Sequence, residues 1–261
     1  MDLQLKGKTA IVLASSQGLG KAIAVQLIKE GVNVMLASRS EEKLRATAEE
    51  LSSLADGKAV YTIADVTQKE SIQMVVKRTI EYFGTVDILV NNAGGPKAGN
   101  IESLTDDDWQ DAFELNLLSY IRTIREVLPY MKKRGGHIIN IASSSIKEPI
   151  PGLVLSNTFR TGIVGLTKTL SQELGEYNIL VNTVAPGRIA TERVEQLDQI
   201  SAKNEGISKE EVKEKVKSTI SLGRYGEPEE FAKVVAFLVS GANTYMTGNS
   251  FLVDGGMVKS I

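Results

Sequence analysis

The chain has 261 residues, 42% of them hydrophobic and 24% charged, and its formal net charge is −2. This length fits one large α/β domain, and the charge balance gives no reason to expect nucleic acid or an anionic membrane as a partner. The lack of cysteine excludes disulfides, thiolate catalysis and cysteine-ligated metals, and the single histidine, His137, excludes multi-histidine metal sites. No apolar run reaches about 18 residues and no secretory apolar core precedes Lys8, so we expect a cytoplasmic protein without a membrane span or metal.

Strand and helix patterns alternate along the chain. Short apolar runs predict strands buried on both faces at 9–14, 32–37, 59–63, 86–91, 137–142, 179–184 and 250–253. Helical spacing of apolar residues predicts helices at 21–30, 41–54, 68–83, 106–133, 153–174 and 228–240. This alternation predicts an α/β fold, a single-domain Rossmann-like doubly wound parallel sheet of about seven strands with helices on both faces, spanning 1–261. The charged segment 189–220 is expected to be mostly helical and to cover a substrate cleft.

A glycine turn, Gly18-Leu19-Gly20, separates the first strand from its helix. Glycines let backbone N–H groups approach phosphates, and the helix N-terminus carries a partial positive charge. Glycine pairs also end strands in many folds, so the strand–turn–helix setting is what favours a dinucleotide site.

The end of the second strand indicates which dinucleotide the protein binds. An acidic residue there would bind the ribose 2′-hydroxyl of NAD, but the sequence reads Ser38-Arg39. An arginine suits a 2′-phosphate, so NADP(H) is favoured over NAD(H). The alternative is that Arg39 is simply a solvated loop charge.

Several further motifs together resemble the short-chain dehydrogenase/reductase family, and within it the 3-oxoacyl-carrier-protein reductases, from about Leu5 to Val258. Asn91-Asn92-Ala93-Gly94 matches the family's motif after the fourth strand, and Asp65-Val66 its adenine-contacting pair. Pro186-Gly187 with Thr191 matches the stretch at the nicotinamide end. Further matches are Leu222-Gly223-Arg224, Tyr245-Met246-Thr247-Gly248 and Val253-Asp254-Gly255-Gly256.

The turn and the resemblance together assign a set of site residues. Catalytic positions are Asn116, Ser143, Ser156 and Arg160. Expected cofactor contacts are Ala14, Ser16, Gly18, Leu19, Gly20, Ser38, Arg39, Asp65, Val66, Asn92, Ala93, Gly94, Arg160, Pro186, Gly187, Ile189 and Thr191. The resemblance also implies a small-molecule carbonyl substrate and a homotetramer.

Two positions depart from the family pattern. The first glycine of the family's turn is Ala14 here, and a Cβ would cost about 1 kcal/mol if the position needs a positive φ. The family's tyrosine and lysine should lie thirteen residues after Ser143 and four beyond that, where the sequence has Ser156 and Arg160.

These replacements alter the chemistry that the resemblance implies. In the family the tyrosine donates a proton while the lysine lowers its pKa and holds the ribose, help worth roughly 10²–10⁴ in rate. Ser156 is shorter and a far weaker acid. Arg160 stays charged, although its N–H groups could still hold the ribose hydroxyls.

Three hypotheses remain open at this stage. The chain is an NADP-dependent reductase that relies on Ser143, Ser156 and another proton source, or it binds a dinucleotide without redox activity, as a sensor or interaction subunit. A dehydration or isomerisation is the third, with no positive support. Tyr120 and Lys147 are the nearest substitute proton donors, and each more often has a packing or solvated role.

Overall fold

The computed structural model describes residues 2–54 and 57–260. In this part of the chain one seven-stranded sheet has the order β3-β2-β1-β4-β5-β6-β7, and all paired strands are parallel. The strands are β1 (Thr9–Leu13), β2 (Asn33–Ser38), β3 (Ala59–Ile63), β4 (Ile88–Asn91), β5 (Gly136–Ile141), β6 (Ile179–Pro186) and β7 (Ser250–Val253). The predicted doubly wound sheet is confirmed.

Helices cover both faces of this sheet. They are α1 (Gly18–Lys29), α2 (Glu41–Ser52), α3 (Lys69–Phe83), α4 (Asp106–Phe113), α5 (Ser119–Met131), α6 (Val154–Glu173), α7 (Glu192–Glu205), α8 (Lys209–Thr219) and α9 (Pro228–Leu238). Alternate residues of β1 supply the two cores. Val12 packs with α1 and α9 on one face, and Ile11 packs with α3 and α5 on the other. A strand covered on both faces needs a continuous apolar run, which is why 10–13 is apolar throughout.

The sheet order creates a crevice beside β1. This strand pairs with β2 on one side and with β4 on the other, so the connections after β1 and β4 run to opposite faces of the sheet. Ligands of doubly wound sheets bind at the carboxyl ends of the strands at such a switch point. The predicted site residues follow the carboxyl ends of β1, β2, β4, β5 and β6, so the topology gathers them at one edge.

One predicted helix differs in its interior. The stretch predicted as a continuous helix at 106–133 contains a π-helical turn, Glu114–Leu118, between α4 and α5. Asn116 lies in this turn and is fully buried. Single π turns are often found at functional sites because they redirect a side chain without ending the helix. The spacing of apolar residues does not reveal one extra residue in a turn, so this π-helical turn could not be predicted from the sequence.

The segment after β6 is held against the body of the protein by a buried carboxylate. Asp198 of α7 is fully buried, and it accepts hydrogen bonds from Arg188 Nη1 at 3.1 Å and from the Tyr225 hydroxyl at 3.0 Å. Thr191 caps the N-terminus of α7 through the Val194 N–H. These contacts fix the start of α7 over the carboxyl edge of the sheet. No helix among the described residues is long and apolar enough to cross a bilayer.

Candidate active site at the carboxyl edge of the sheet

A cavity of about 1060 Å³ opens at the carboxyl edge of the sheet. Its walls come from the loops after β1, β2, β3, β4, β5 and β6 and from the first turns of α7. The predicted site residues that line it are Ala14, Ser16, Gly18, Leu19, Ser38, Arg39, Asp65, Val66, Asn92, Ala93, Gly94, Ser143, Ser156, Arg160, Pro186, Gly187, Ile189 and Thr191. Of the segment expected to cover the cleft, the residues from Ile189 to Leu197 supply the lining, and α8 supplies none of it.

The two remaining predicted residues lie directly behind the cavity wall. Asn116 donates from Nδ2 to the Gly94 carbonyl at 2.8 Å, and its Oδ1 is buried without a hydrogen-bond partner. Gly20 faces the turn after β1, where a Cβ would collide with the Ala14 carbonyl. Both residues therefore support lining segments, and neither is itself part of the wall.

The turn after β1 has the backbone that a diphosphate requires. Ala14 has a φ of 47° and Gly18 a φ of 57°, both in the left-handed region. Asn92 Nδ2 bonds the carbonyls of Leu13 and Ala14 at 3.3 and 3.4 Å, which joins this turn to the loop after β4. Helix α1 begins at Gly18 with no acidic residue in its first turn, and its N-terminal N–H groups are of the kind that binds an anion. The nearby carboxylate of Glu192 is held by the N-cap residue, since it accepts a hydrogen bond from Gln17 Nε2 at 3.0 Å.

An open cradle above the loop after β4 also fits a dinucleotide. A Cβ built on Gly94 would meet no atom within 4 Å, so the backbone there borders empty space. Glycine at such a position allows a ligand to approach the main chain closely. A phosphate-compatible turn on one side and bare backbone on the other are the features that a nicotinamide dinucleotide needs.

The β2 end of the cavity is basic. Arg39 is exposed, lines the cavity, and has no acidic neighbour at the end of β2. Ser38 and Ser16 share a hydrogen bond between hydroxyls at 2.9 Å. Lys43, which was not predicted from the sequence, also lines the cavity and bonds Gln17 Oε1 at 2.5 Å. The sequence could have indicated Lys43 as a cavity residue, since it stands in the first turn of the helix that begins just after Arg39.

The two serines of the altered motif occupy different settings. Ser143 accepts a hydrogen bond at Oγ from the Ser145 N–H at 3.2 Å and begins a short 3₁₀ turn. Ser156 lies in the first turn of α6, half-buried, and no hydrogen bond ties its hydroxyl to another described residue. Both line the cavity, so both hydroxyls are available to a ligand.

Arg160 lies at the base of the cavity and is only 5% exposed. Nη1 donates to the Tyr120 hydroxyl at 2.9 Å and to the Ile141 carbonyl at 2.7 Å, and Nη2 donates to the Ala93 carbonyl at 3.2 Å. Three N–H groups are thus used by the protein, and two of the five that a guanidinium carries remain for a ligand. The arginine braces the ends of β4 and β5 in addition to bordering the cavity.

Neither substitute proton donor borders the cavity. Tyr120 is fully buried, and its hydroxyl donates to the Ile141 carbonyl at 2.9 Å. Burial raises the pKa of Tyr120, and the nearby Arg160 charge opposes that rise. Lys147 is exposed beyond the 3₁₀ turn and is not among the lining residues. Within the described ranges, no tyrosine or histidine lines the cavity.

Arg193 is a lining residue that sequence reasoning missed. It follows Thr191 by two residues at the start of α7, and its Nη2 donates to the Pro96 carbonyl at 2.9 Å. Its guanidinium lies over Gly95, where a Cβ would come within 2.8 Å of Nε and Nη2. Burial and then the Arg160 charge lower the pKa of Arg193. The polar sequence of α7 did not indicate this contact, because Arg193 and Pro96 are 97 residues apart in the chain.

Known proteins resemble this chain along its whole length. The family model described as "Enoyl-(Acyl carrier protein) reductase" matches residues 13–258. The 3-oxoacyl-[acyl-carrier-protein] reductase FabG of Thermotoga maritima is 34% identical over 257 residues, covering 98% of this chain and 100% of the relative. Glucose 1-dehydrogenase 2 of Bacillus subtilis is 37% identical over 261 residues, covering 98% and 97%.

Solved structures agree with these sequence relatives. L-sorbose reductase from Gluconobacter frateurii, complexed with NADPH and L-sorbose, superposes with a TM-score of 0.95 at 33% identity and full coverage of both chains. A variant of actinorhodin polyketide ketoreductase with NADPH gives a TM-score of 0.93 at 34% identity, covering 98% and 99%.

Proposed function

Because the chain belongs to the short-chain dehydrogenase/reductase family, we propose that it is an NADP(H)-dependent oxidoreductase acting on a small 3-oxoacyl-like carbonyl or alcohol substrate. The observation that carries this proposal is the single cavity shared by the glycine turn, the loop after β4, Ser143 and Ser156. Two of the similar solved structures are reductases with NADPH bound. When bound, the nicotinamide ring supplies or accepts the hydride.

The preference for NADP(H) rests on the β2 end of the cavity. Arg39 and Lys43 line it, and neither forms an ion pair with any described residue. A 2′-phosphate carries charge that an arginine binds with two parallel hydrogen bonds. The end of β2 reads Ser38-Arg39, at the place where a carboxylate would instead favour the 2′-hydroxyl of NAD.

The serine hydroxyls are assigned the carbonyl oxygen of the substrate. Ser143 and Ser156 both border the cavity, and Ser156 has its hydroxyl free of protein partners in the described chain. The buried Arg160 charge stabilises negative charge that develops on that oxygen. Among the described residues that line the cavity there is no tyrosine or histidine, so we assign the proton to water, relayed through a serine hydroxyl.

A second candidate function is dinucleotide binding without turnover. The favouring observation is that Arg160 donates three hydrogen bonds to protein oxygens, as a structural brace would. On this hypothesis the retained motifs maintain the fold and the nucleotide site, and the protein acts as a sensor or interaction subunit.

Restoring the family's motif separates the two candidates. NADPH and NADH titrations followed by nucleotide fluorescence first establish binding, and no binding at millimolar concentration would reject both candidates. Turnover is then measured on a panel of ketones and 3-oxoacyl thioesters for the wild type, Ser156→Tyr and Ser156→Tyr/Arg160→Lys. We expect measurable wild-type turnover that rises by roughly 10²-fold in the double variant. Turnover by the double variant alone would leave only the binding function.

A homotetramer and a cytoplasmic location also remain proposals. Support for assembly comes from exposed apolar side chains at the β7 edge, where Tyr245 is 96% exposed and Leu222 is 66% exposed. Contiguous exposed apolar patches mark contact surfaces, and on this proposal the assembly covers both side chains. Sedimentation equilibrium gives the assembly state, and a monomer at micromolar concentration would reject the tetramer.

A further inference from the structure

Two arginines meet at the loop after β4 without an acidic partner. Arg160 bonds the Ala93 carbonyl from below, and Arg193 reaches the Pro96 carbonyl from α7. Both line the cavity. No ion pair joins either guanidinium to a carboxylate of residues 2–54 or 57–260.

Two other arginines of the same cavity are paired with carboxylates. Arg122 meets Glu114 at 2.6 Å, and Arg188 meets Asp198 at 3.1 Å. Four further carboxylates line the cavity, and none lies within ion-pair distance of Arg160 or Arg193: Asp65, Glu70, Asp111 and Glu192. Glu192 instead accepts a hydrogen bond from Gln17 Nε2 at 3.0 Å. Unpaired positive charge therefore stands on the cavity wall at Arg39 and Lys43 beside β2, and again at Arg160 and Arg193 around 93–96.

Free N–H groups accompany this charge. Arg193 donates one hydrogen bond to a described residue, and Arg160 donates three. A guanidinium has five N–H donors, so four remain on Arg193 and two on Arg160. Partly buried charges without a partner are unfavourable unless a ligand supplies the opposite charge. The guanidinium fork matches a carboxylate or a phosphate in bidentate geometry.

We propose that Arg193, aided by the Arg160 charge, binds a carboxylate of the substrate, so that the substrates of this protein are oxo acids or the corresponding hydroxy acids. This inference rests on the proposed oxidoreductase function. The diphosphate of the cofactor is the other source of an anion in the cavity. Its expected place is the turn at Gly18, beside Thr191, whose methyl lies 3.9 Å from a Cβ built there. Arg193 instead lies over Gly95.

The test compares a keto acid with its methyl ester as substrates, and it measures the binding of a dicarboxylate separately. Acetoacetate and methyl acetoacetate are offered as hydride acceptors to the wild type, Arg193→Gln and Arg193→Lys. Malonate binding is measured by calorimetry with NADP⁺ in excess, so that the cofactor's phosphates are already accommodated. Lys203→Gln is the matched control, since it removes one exposed positive charge from the same helix outside the cavity.

We expect Arg193→Gln to raise KM for acetoacetate and Kd for malonate about ten- to a hundredfold, the range for one charged hydrogen-bonding group. Arg193→Lys should recover part of the affinity for acetoacetate and for malonate, and the KM for methyl acetoacetate should change far less than the KM for acetoacetate. Lys203→Gln should match the wild type throughout. A rise in the Kd for NADPH in Arg193→Gln, with malonate binding unaltered, would assign the arginine to the cofactor and overturn the proposal.

The two proposals fail in different ways. Malonate binding that Arg193→Gln abolishes, without turnover of either ketone, would leave the carboxylate site and remove the redox function. Turnover with equal preference for acid and ester, and no malonate binding, would keep the oxidoreductase and remove the carboxylate site.

Discussion

Arg160 Nη1 donates a hydrogen bond to the hydroxyl of Tyr120 at 2.9 Å, beneath the floor of the cavity. Both groups also donate to the Ile141 carbonyl, at 2.7 Å from Arg160 and 2.9 Å from Tyr120. The position where the family has a lysine is thus tied to the end of β5 by a closed cluster of hydrogen bonds. Arg160 holds the strand that leads into Ser143, and it does so from the helix that carries Ser156.

Removing the Tyr120 hydroxyl tests whether this residue is structural or a proton donor. Tyr120→Phe takes a hydrogen-bond acceptor from a buried guanidinium, so we expect the free energy of unfolding to fall by about 1–3 kcal/mol. Because Tyr120 does not border the cavity, the pH profile of kcat should keep its shape. Urea denaturation and a pH–rate series measure the two effects. Tyr130→Phe on the same helix is the control, and a flattened rate profile in Tyr120→Phe alone would identify a proton donor.

Replacing Ala14 by glycine should relieve the turn after β1. Its φ of 47° costs an alanine about 1–2 kcal/mol, part of which the greater freedom of glycine in the unfolded chain offsets. We expect Ala14→Gly to raise the free energy of unfolding by about 0.5 kcal/mol and to tighten NADPH binding. Ala14→Val, which adds a branched Cβ at the same φ, should lower both. Urea denaturation measures the free energy of unfolding, and fluorescence titration measures the affinity for NADPH. Equal values for the two variants would show that the turn is not strained.

Arg39 should discriminate between the two nicotinamide dinucleotides. Arg39→Ala removes the cation offered to the 2′-phosphate, so the Kd for NADPH should rise about tenfold while the Kd for NADH stays the same. Arg45→Ala is the matched control, because that residue lies on α2, is exposed, and does not line the cavity. An equal loss for both nucleotides would mean that Arg39 contacts a shared part of the cofactor.

The stability of the fold should fall in mild acid through His137. Burial lowers the pKa of His137 to about 4, below its ordinary value of 6.5, and its Nδ1 is buried without a partner. The unfolded chain therefore binds a proton at a higher pH than the folded chain does. The stability that this shift contributes is complete above pH 6.5 and is lost as the pH falls from 6.5 through 4, by roughly 3 kcal/mol in total.

Urea denaturation of the wild type and His137→Gln at about pH 7 and about pH 4.5 isolates this effect. Carboxylates titrate over part of the same range in both proteins, so the difference between the two curves belongs to the histidine. We expect the variant to lose less stability on acidification. An equal loss of stability in the two proteins would show that His137 has the same pKa in the folded and the unfolded chain.

Much of the site could be predicted from the sequence because its motifs are local. The glycine turn and Ser38-Arg39 were assigned from their place after a strand, and the remaining residues from their resemblance to the family's short motifs. The sheet then brings those strand ends to one edge. Ser156 and Arg160 were located by counting from Ser143, and helix α6 places both on the cavity wall. The long-range partners were not predictable in this way, as Tyr120 and Arg193 show.

The amino-acid sequence by itself determined the sheet, the glycine turn and the register of the altered motif, since strand burial and helix periodicity act over a few residues. The tertiary structure alone decided how each charged group is satisfied. It directed three Arg160 N–H groups to oxygens in the loop after β4, on α5 and at the end of β5, and it set Arg193 against Pro96, 97 residues away. A side chain's hydrogen-bond partners depend on which strand ends and helix termini become neighbours, and that is fixed by the order of strands in the sheet.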